Sequence, residues 1–386
     1  MDFELNEDQR AFQETARQFA RELMAPQAAK WDAEQIFPKD VLKQAGELGF
    51  MALYTPEAEG GMALGRIDSA IIIEELAGAC PSTAAFISIH NMALGMIARY
   101  GTAEARAQWC PGLVSGEQLA SYCLTEPNAG SDAASLRTRA EREGGSYRLN
   151  GGKAFISGAG DTEVLVVMAR TGEDGPKGIT AFAVAAHAEG VSYGKKEEKM
   201  GWNSQPTRAI NFDNVVVPES ARLGEEGQGF AIAMEGLDGG RINIATCSIG
   251  AAQACLQFAI SHVSERKQFG KRIADFQNTQ FKLADMQTEL VAARQMVRLA
   301  ATKLDNNHSE KSAYCAMAKR FATDAGFNIC NETLQLHGGY GYIKEYPIER
   351  FLRDSRVHQI LEGTNEIMRV IVSRRLLIEG MTEILR

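Results

Sequence analysis

Length, composition and charge limit what this chain can be. It has 386 residues, of which 45% are hydrophobic, so two or three packed domains, or one domain elaborated around a large ligand, are expected. The net charge of −8 disfavours a nucleic acid or an anionic membrane surface as the main partner. The seven cysteines contain no C-x-x-C pair and the six histidines form no ligand motif, so neither a disulfide framework nor a metal site is predicted.

The hydropathy and the N-terminus bear on location. No segment approaches the roughly 20 apolar residues that cross a membrane. The N-terminus lacks a basic signal region and an Arg-rich presequence. The cysteine usage is that of a reducing compartment. A cytoplasmic protein is therefore predicted, although a mitochondrial matrix protein would look the same once its presequence had been removed.

Helical patterns fill residues 1–119, the predicted N-terminal α-helical domain. Asn6 and Gln9 have the spacing of a capping box, and apolar residues then recur at steps of three and four. Residues 67–77 and 84–100 predict two longer, largely buried helices.

The periodicity changes near residue 120. Short apolar segments separated by Gly, Asn and Asp predict strands at 119–124, 164–168, 179–184 and 209–212. A hairpin is predicted with its turn at 150–152, where the sequence is Asn-Gly-Gly. Because no helix-length segment lies between the strands, residues 120–230 predict a middle antiparallel β-domain without βαβ units.

Residues 231–386 return to the helical period and form the predicted C-terminal α-helical domain. Apolar residues from Leu283 to Leu304 alternate steps of three and four, which is typical of a helix packed in a bundle. The predicted fold class is therefore α+β, with a helical domain, a β-domain and a C-terminal four-helix bundle in that order.

Glu362 is the candidate catalytic base. It follows Ile360 and Leu361 and precedes Gly363, so its carboxylate is expected to face a partly desolvated site. Burial raises the pKa of a carboxylate toward neutrality, as a proton-abstracting group requires. On the local sequence alone, a loop acid or an acid at a helix start is the commoner explanation.

Four other segments combine small, polar or basic residues. They are 122–132 and 153–160 at strand ends, 266–272 between two helices, and the glycine-rich 335–342 after a helix. Each has an ordinary explanation as a turn, a hairpin core, a helix-dipole partner or a C-cap. Neither a Walker loop nor a G-x-G-x-x-G fingerprint is present.

Taken together and in this order, the motifs resemble those of the acyl-CoA dehydrogenase flavoprotein family over essentially the whole chain. The resemblance lies in 122–131 (YCLTEPNAGS), 155–157 (FIS), 238–241 (DGGR), 266–270 (RKQFG), 335–339 (QLHGG) and 361–366 (LEGTNE). Longer segments are similar to members that act on short branched acyl-CoA thioesters, namely 88–92, 200–209, 241–245 and 353–363.

The resemblance implies the acyl-CoA dehydrogenase fold, a homotetramer, and FAD held between the β-domain and the bundle, partly by a neighbouring subunit. The residues that it implies at the cofactor are Tyr122, Leu124, Thr125, Gly130, Ser131, Phe155, Ile156, Ser157, Arg266, Phe269, Phe276, Gln277, Gln335, Gly338, Gly339, Thr364, Asn365 and Glu366. Those that it implies at the acyl-CoA substrate are Ser131, Asp238, Gly239, Gly240, Arg241, Leu361, Gly363 and Arg374.

The implied reaction is the α,β-dehydrogenation of isobutyryl-CoA to methacrylyl-CoA, a step of valine breakdown. Glu362 takes the α-proton while a hydride passes from the β-carbon to the flavin N5. Hydrogen bonds to the thioester oxygen, from the Glu362 N–H and a flavin hydroxyl, stabilise the enolate. An electron-transfer flavoprotein is the implied electron acceptor.

Two positions refine this expectation. Some relatives carry their base just before the arginine of 238–241, where this chain has Gly240, which cannot act as a base. Straight-chain members carry tyrosine just before the catalytic glutamate, where this chain has Leu361. We expect the smaller leucine to leave room for a branch at the α-carbon.

The sequence leaves three alternatives open. A short-chain or 2-methylbutyryl-CoA dehydrogenase would have the same motifs, because the shape of an acyl pocket cannot be read from one sequence. An oxidase that passes electrons to O₂ is disfavoured by the chain length and by Glu362. A nucleic-acid-binding relative is disfavoured by the net charge.

Overall fold

The computed structural model describes residues 4–378 and 380–385. The N-terminal part is helical and consists of α1 (Glu7–Phe19), α2 (Ala25–Glu34), α3 (Lys39–Glu47), α4 (Arg66–Ala79), α5 (Pro81–Tyr100) and α6 (Ala103–Val114). The predicted capping box is confirmed, since Asn6 Oδ1 accepts from the Gln9 N–H at 2.8 Å and Gln9 Oε1 accepts from the Asn6 N–H at 3.2 Å. The two predicted buried helices correspond to α4 and α5, and α5 is buried along nearly its whole length.

One sheet forms the middle of the protein. Its strands are β1 (Ala120–Cys123), β2 (Arg139–Glu143), β3 (Ser146–Ser157), β4 (Val164–Arg170), β5 (Ile179–Ala185), β6 (Val191–Tyr193), β7 (Thr207–Pro218) and β8 (Arg222–Leu223). The order is β6-β7-β3-β2-β4-β5-β8, with β1 beside β4. Most pairs are antiparallel as predicted, but β1 runs parallel to β4, and β2 meets β4 in parallel at a single pair, Arg139 and Arg170.

The predicted hairpin at 150–152 is wrong. β3 continues through this segment, and its register with β7 shifts there in a bulge. Gly151 has a φ of 143°, and a Cβ at this position would lie 2.6 Å from Thr138 Cα, so the glycine serves a close approach of two backbones. The chain reverses earlier, between β2 and β3, where Gly144 has a φ of 61°.

The C-terminal part is helical again, as predicted. It contains α7 (Gly229–Glu265), a short ribbon of β9 (Lys267–Gln268) and β10 (Lys271–Arg272), then α8 (Gln277–Asp305), α9 (Lys311–His337), α10 (Gly339–Tyr342), α11 (Ile348–Arg356), α12 (Asn365–Leu376) and α13 (Met381–Ile384). α7, α8 and α9 pack on one another and α12 packs on α9. The predicted apolar stripe lies on α8, with Met286, Leu290 and Val297 buried.

The central helix α7 has the length and apolar composition of a membrane span, so the prediction that no segment approaches one is wrong for this helix. However, 72% of its most apolar window is buried inside the fold. α7 contacts α4, α5, α8 and α9, and these contacts account for its apolar residues. It is the helix against which both helical parts pack.

Candidate active site

The turn that carries Glu362 precedes α12. Glu362 has a φ of 54° and Gly363 a φ of 87°, so two consecutive residues adopt the left-handed conformation. This conformation costs a non-glycine residue about 1–2 kcal/mol. Surrounding contacts must therefore hold the turn, as is common at functional sites.

Lys319 on α9 provides such contacts. Its side chain is fully buried, and Nζ donates to the Gly363 carbonyl at 2.8 Å and to Asn365 Oδ1 at 2.9 Å. Burial lowers the pKa of Lys319 to about 8, so the amine is largely protonated at neutral pH. The sequence did not indicate this role, because lysine in a helical pattern is normally expected at the surface.

The carboxylate of Glu362 is isolated. The residue as a whole is partly accessible, but Oε2 is buried and has no hydrogen-bond partner among the described residues. Burial raises the pKa of Glu362 to about 7, against the opposing effect of the positive charges on Arg241 and Lys319. Glu362 is therefore poised to accept a proton near neutral pH.

Gly240 lies directly beneath this carboxylate. A Cβ at Gly240 would be 2.0 Å from Oε2 of Glu362 and 2.8 Å from its Cδ. The carboxylate therefore occupies the space that a side chain at position 240 would need. The two positions considered for the base from the sequence converge on one point, and in this chain only Glu362 carries an acid there.

The remaining residues of the predicted substrate segment 238–241 surround the same point. Asp238 Oδ1 accepts from Arg241 Nη1 at 2.6 Å, and Asp238 Oδ2 accepts from Ser312 Oγ at 2.5 Å. Both members of the ion pair are buried, and Arg241 Nε has no partner within the described part of the chain. Arg374, also predicted at the substrate, is exposed in the last turn of α12.

His358 fixes the segment that leads into Glu362. Its Nε2 accepts from Trp202 Nε1 at 3.3 Å, and its Nδ1 lies 2.7 Å from Ser248 Oγ. Because the Ser248 hydroxyl donates to the Ile244 carbonyl, its oxygen is left to accept from Nδ1–H. Burial lowers the pKa of His358 to about 3, so the ring stays neutral. This connection between the β-domain, α7 and the turn had no recognisable sequence signal.

The structure joins the two predicted flavin-contacting segments of the β-domain. The Ala154 N–H donates to the Thr125 carbonyl at 2.9 Å. The buried Lys153 Nζ donates to the Leu124 carbonyl at 3.0 Å and to Glu126 Oε1 at 2.8 Å. The loop after β1 and the end of β3 therefore form one rigid unit.

This unit presents groups that lack partners within the protein. Tyr122 Oη is buried with no acceptor or donor among the described residues, and a Cβ at Gly130 would meet open space. Phe155 is 69% exposed and has a φ of 58°. Burial raises the pKa of Tyr122, and the negative charge of Glu362 adds to this effect, so the unit lies within electrostatic reach of the candidate base.

The other predicted cofactor residues lie far from this unit. Arg266 follows the end of α7, 26 residues after Gly240, which is about 39 Å along a helix axis. Residues of this second group are largely exposed, and Phe269 is 93% exposed. The group comprises Arg266, Phe269, Phe276, Gln277, Gln335, Gly338 and Gly339. Thr364 caps α12 beside the base, with Asn365 buried against Lys319 and Glu366 exposed.

Comparison with known proteins identifies the family. Models of the acyl-CoA dehydrogenase N-terminal, middle and C-terminal domains match residues 6–117, 121–215 and 227–377. The chain belongs to the acyl-CoA dehydrogenase family. It is therefore an oxidoreductase, and the predicted order of helical, β and helical domains is confirmed. The exact boundaries after 119 and 230 stay predictions.

Individual acyl-CoA dehydrogenases are similar over nearly the whole chain. Isobutyryl-CoA dehydrogenase, mitochondrial, of Dictyostelium discoideum is 56% identical over 373 residues, covering 96% of this chain and 90% of that protein. The Bos taurus protein of the same name is 53% identical, covering 97% and 90%. The solved structure of butyryl-CoA dehydrogenase from Megasphaera elsdenii superposes with a TM-score of 0.94 at 38% identity, covering 98% of this chain and all of that one.

Acyl-CoA dehydrogenases are FAD-dependent, and this chain has features that fit the cofactor. The unpartnered Tyr122 hydroxyl and the exposed Phe155 ring offer a polar and an aromatic contact on the unit beside Glu362. At the far end of the bundle, Gly338 and Gly339 face open space, which allows close approach of a bulky group. Within the described residues, no cluster of three potential metal ligands occurs.

Gly240→Ala tests the contact beneath the base. The added methyl group would meet Glu362 Oε2 at 2.0 Å, so the carboxylate must move. We expect the rate of flavin reduction by substrate to fall at least tenfold, because small misplacements of a reacting group are costly. Gly145→Ala is the matched control, since a Cβ there meets nothing within 4 Å. Equal rates for the two variants would contradict the contact.

Lys319→Met tests the electrostatic balance at Glu362. The positive charge of Lys319 lowers the pKa of Glu362, so its removal should raise that pKa above about 7. The rate of flavin reduction should then rise with pH at a higher midpoint than in the unchanged protein. Lys43→Met, at an exposed lysine paired with Glu117, is the control. If the pH midpoint of flavin reduction is unchanged or lower in a variant that retains flavin, Lys319 does not lower the pKa of Glu362.

Proposed function

We propose that this protein catalyses the FAD-dependent α,β-dehydrogenation of a short branched acyl-CoA, isobutyryl-CoA to methacrylyl-CoA, in valine breakdown. The observation that carries the proposal is the unpartnered Glu362 carboxylate over Gly240, with its pKa raised by burial to about 7. The substrate rests on the identity of 53–56% to proteins named isobutyryl-CoA dehydrogenase.

In this mechanism Glu362 removes the α-proton of the thioester. The Glu362 N–H makes no hydrogen bond within the part of the chain that the structure describes, so it is available to the thioester oxygen as negative charge develops there. Lys319 and Asn365 keep the turn in place, which aligns the carboxylate with the α-carbon. The chemistry that bound FAD would supply is that of a hydride acceptor for the β-carbon.

Residues of two subunits would hold the cofactor. Tyr122, Phe155 and their neighbours on the β-domain unit would contact the flavin ring near Glu362. The second group, about 39 Å away along α7, would hold the pyrophosphate and adenosine of the cofactor in a neighbouring subunit. The exposure of Phe269 and of Phe281, which is 57% exposed, supports an interface at that end. These features support association of copies, and we propose a homotetramer because the family resemblance implies one.

The family resemblance and the cysteines bear on the electron acceptor and the compartment. An electron-transfer flavoprotein is proposed as the acceptor from the family resemblance alone. All seven cysteines are free and buried, which fits a reducing compartment such as the cytoplasm or the mitochondrial matrix. The relatives from Dictyostelium discoideum and Bos taurus are named mitochondrial, which supports the matrix as the compartment of this chain.

Glu362→Gln tests the proposed reaction. The unchanged protein should be yellow, and anaerobic isobutyryl-CoA should bleach its flavin absorbance. Glutamine keeps the size of the side chain but cannot take a proton, so the variant should bind FAD and reduce it at least about 10³-fold more slowly. Glu143→Gln, at an exposed acid paired with Arg148, should behave normally. Normal bleaching of the Glu362 variant would remove Glu362 from the mechanism.

Leu361→Tyr tests the choice of substrate. Leu361 is partly buried and packs against the core formed by the N-terminal helices, so a larger side chain there would narrow the acyl site. The variant should lose more activity on isobutyryl-CoA than on butyryl-CoA, because only the former carries a branch at the α-carbon. Bleaching rates with both substrates, and with 2-methylbutyryl- and isovaleryl-CoA, measure this. Equal losses on the first two would eliminate Leu361 as a selector.

A further inference from the structure

A loop of the β-domain packs on the helix that precedes the candidate base. The loop comprises residues 194–206 and connects β6 to β7, while α11 is followed by the turn that carries Glu362. At Gly201 a Cβ would lie 2.6 Å from both the carbonyl carbon and the carbonyl oxygen of Arg353, and 2.8 Å from the Asp354 nitrogen. The backbone of the loop therefore lies directly on the backbone of α11, which only glycine allows.

Trp202 is the next residue of this loop and is held firmly. It has a φ of 56°, a left-handed conformation that is unfavourable for a residue with a side chain. Its N–H donates to Asp354 Oδ1 at 2.6 Å, and its carbonyl accepts from Lys199 Nζ at 2.8 Å. The residue is only 5% exposed. Because the backbone and the ring are both fixed, the indole N–H has a defined direction.

The indole N–H connects the loop to His358. Trp202 Nε1 donates to His358 Nε2 at 3.3 Å, and the two rings meet edge to face with their centres 5.6 Å apart. On the other side of the ring, His358 Nδ1 lies 2.7 Å from Ser248 Oγ, and the Ser248 hydroxyl donates to the Ile244 carbonyl at 3.1 Å. A continuous series of hydrogen bonds therefore runs from the β-domain through His358 to α7.

His358 belongs to the turn that leads into Glu362. The Val357 carbonyl accepts from the Ile360 N–H at 2.9 Å and from the Leu361 N–H at 3.0 Å. Residues 357–361 are therefore one compact turn that includes the buried His358 ring. Fixing the ring fixes the start of this turn, just as Lys319 fixes its end through the Gly363 carbonyl. Glu362 lies between these two anchors.

The basicity of Glu362 depends on its position. Oε2 is buried without a hydrogen-bond partner in the described part of the chain, and this burial raises the pKa to about 7. The charged groups that face the carboxylate, Arg241 and Lys319, act in the opposite direction. A carboxylate carried on a looser turn would reach water, so its pKa would fall. Burial lowers the pKa of His358 to about 3, so the ring itself stays neutral while Glu362 titrates.

We propose that Trp202 and His358 are positioning residues for the dehydrogenation. The indole N–H holds the His358 ring against Ser248, and the ring holds the turn so that the Glu362 carboxylate stays out of water and in line with the α-carbon. Both residues act through the turn and not by contact with the reacting atoms. The proposal rests on the function proposed above, because it takes Glu362 to be the base.

His358→Phe tests the proposal in the flavin-loaded protein, because phenylalanine keeps a ring and loses both hydrogen bonds. Anaerobic bleaching is measured over a range of isobutyryl-CoA concentrations and of pH. The rate at saturation should fall about tenfold, while the concentration for half-maximal rate should stay within about twofold. The pH midpoint of the rate should fall below about 7, because the carboxylate gains water. This shift is opposite to the one expected for Lys319→Met.

His90→Phe is the matched control. His90 is also fully buried and also makes two hydrogen bonds, with the Leu113 carbonyl at 2.9 Å and the Ala120 N–H at 3.1 Å. The two histidine variants should lose similar thermal stability, since each loses two buried hydrogen bonds. Only His358→Phe should move the pH midpoint.

Trp202→Phe keeps the test decisive where His358→Phe fails to fold. It removes the donor to His358 and retains an aromatic ring, so the midpoint should fall in the same way. The double variant should shift the midpoint no further than His358→Phe alone, because both changes break the same hydrogen bond. The titration of Glu362 is also followed without turnover, by infrared difference spectra of its carboxyl group against Glu362→Gln.

The outcomes separate this proposal from the proposed function. Absence of bleaching in the unchanged protein would count against the proposed function, whereas a lower infrared midpoint in His358→Phe would still support the positioning role. An unaltered midpoint in both the His358 and the Trp202 variants would overturn that role alone. A shift of equal size in His90→Phe would be a general effect of lost stability and would also overturn it.

Discussion

The catalytic geometry proposed for this protein depends on one buried amine. Lys319 Nζ binds the Gly363 carbonyl and the Asn365 side chain, and so holds a turn in which Glu362 has a positive φ. The same charge opposes the rise in the pKa of Glu362 that burial causes. One side chain therefore helps to set both the position of the carboxylate and, together with burial and Arg241, its basicity. Removing the amine would therefore disturb both the turn and the pKa of Glu362, and not only the hydrogen bonds that are lost.

Two glycines on α7 make room for the groups above them. Gly240 accommodates the Glu362 carboxylate, and Gly239 accommodates the guanidinium of Arg66. Both glycines lie in the part of α7 that is buried against other helices. Glycine in a helix interior costs roughly 0.5–1 kcal/mol relative to alanine. Here the cost is offset because the bare backbone of α7 lets the Glu362 carboxylate and the Arg66 guanidinium approach it closely.

The sequence predicted most elements but few of the supporting contacts. Periodicity identified α4, α5 and the stripe on α8, because each buries one face or all faces against neighbours. The Asn-Gly-Gly segment was predicted as a hairpin turn but is a bulge in a continuous strand. Glycine suits both structures, and the reason for the bulge is the close approach of the Thr138 backbone, which lies elsewhere in the sequence. Glu362 was predicted as the base from its motif, and that role stays a proposal. The contacts of Lys319, His358 and Trp202 were not predicted, because their partners lie far along the chain and a lone Lys, His or Trp has no spacing that marks it.

The length of α7 has a consequence for the assembly. In the proposed oligomer each chain contributes the base and flavin-facing unit of one cofactor site and the outer group of another, about 39 Å apart along the helix. A single chain then contains two half-sites and no complete one. Occupancy by the cofactor and association of subunits become linked equilibria, each of which strengthens the other by mass action. Dilution would thus promote both dissociation of the subunits and loss of the flavin, and each loss would favour the other.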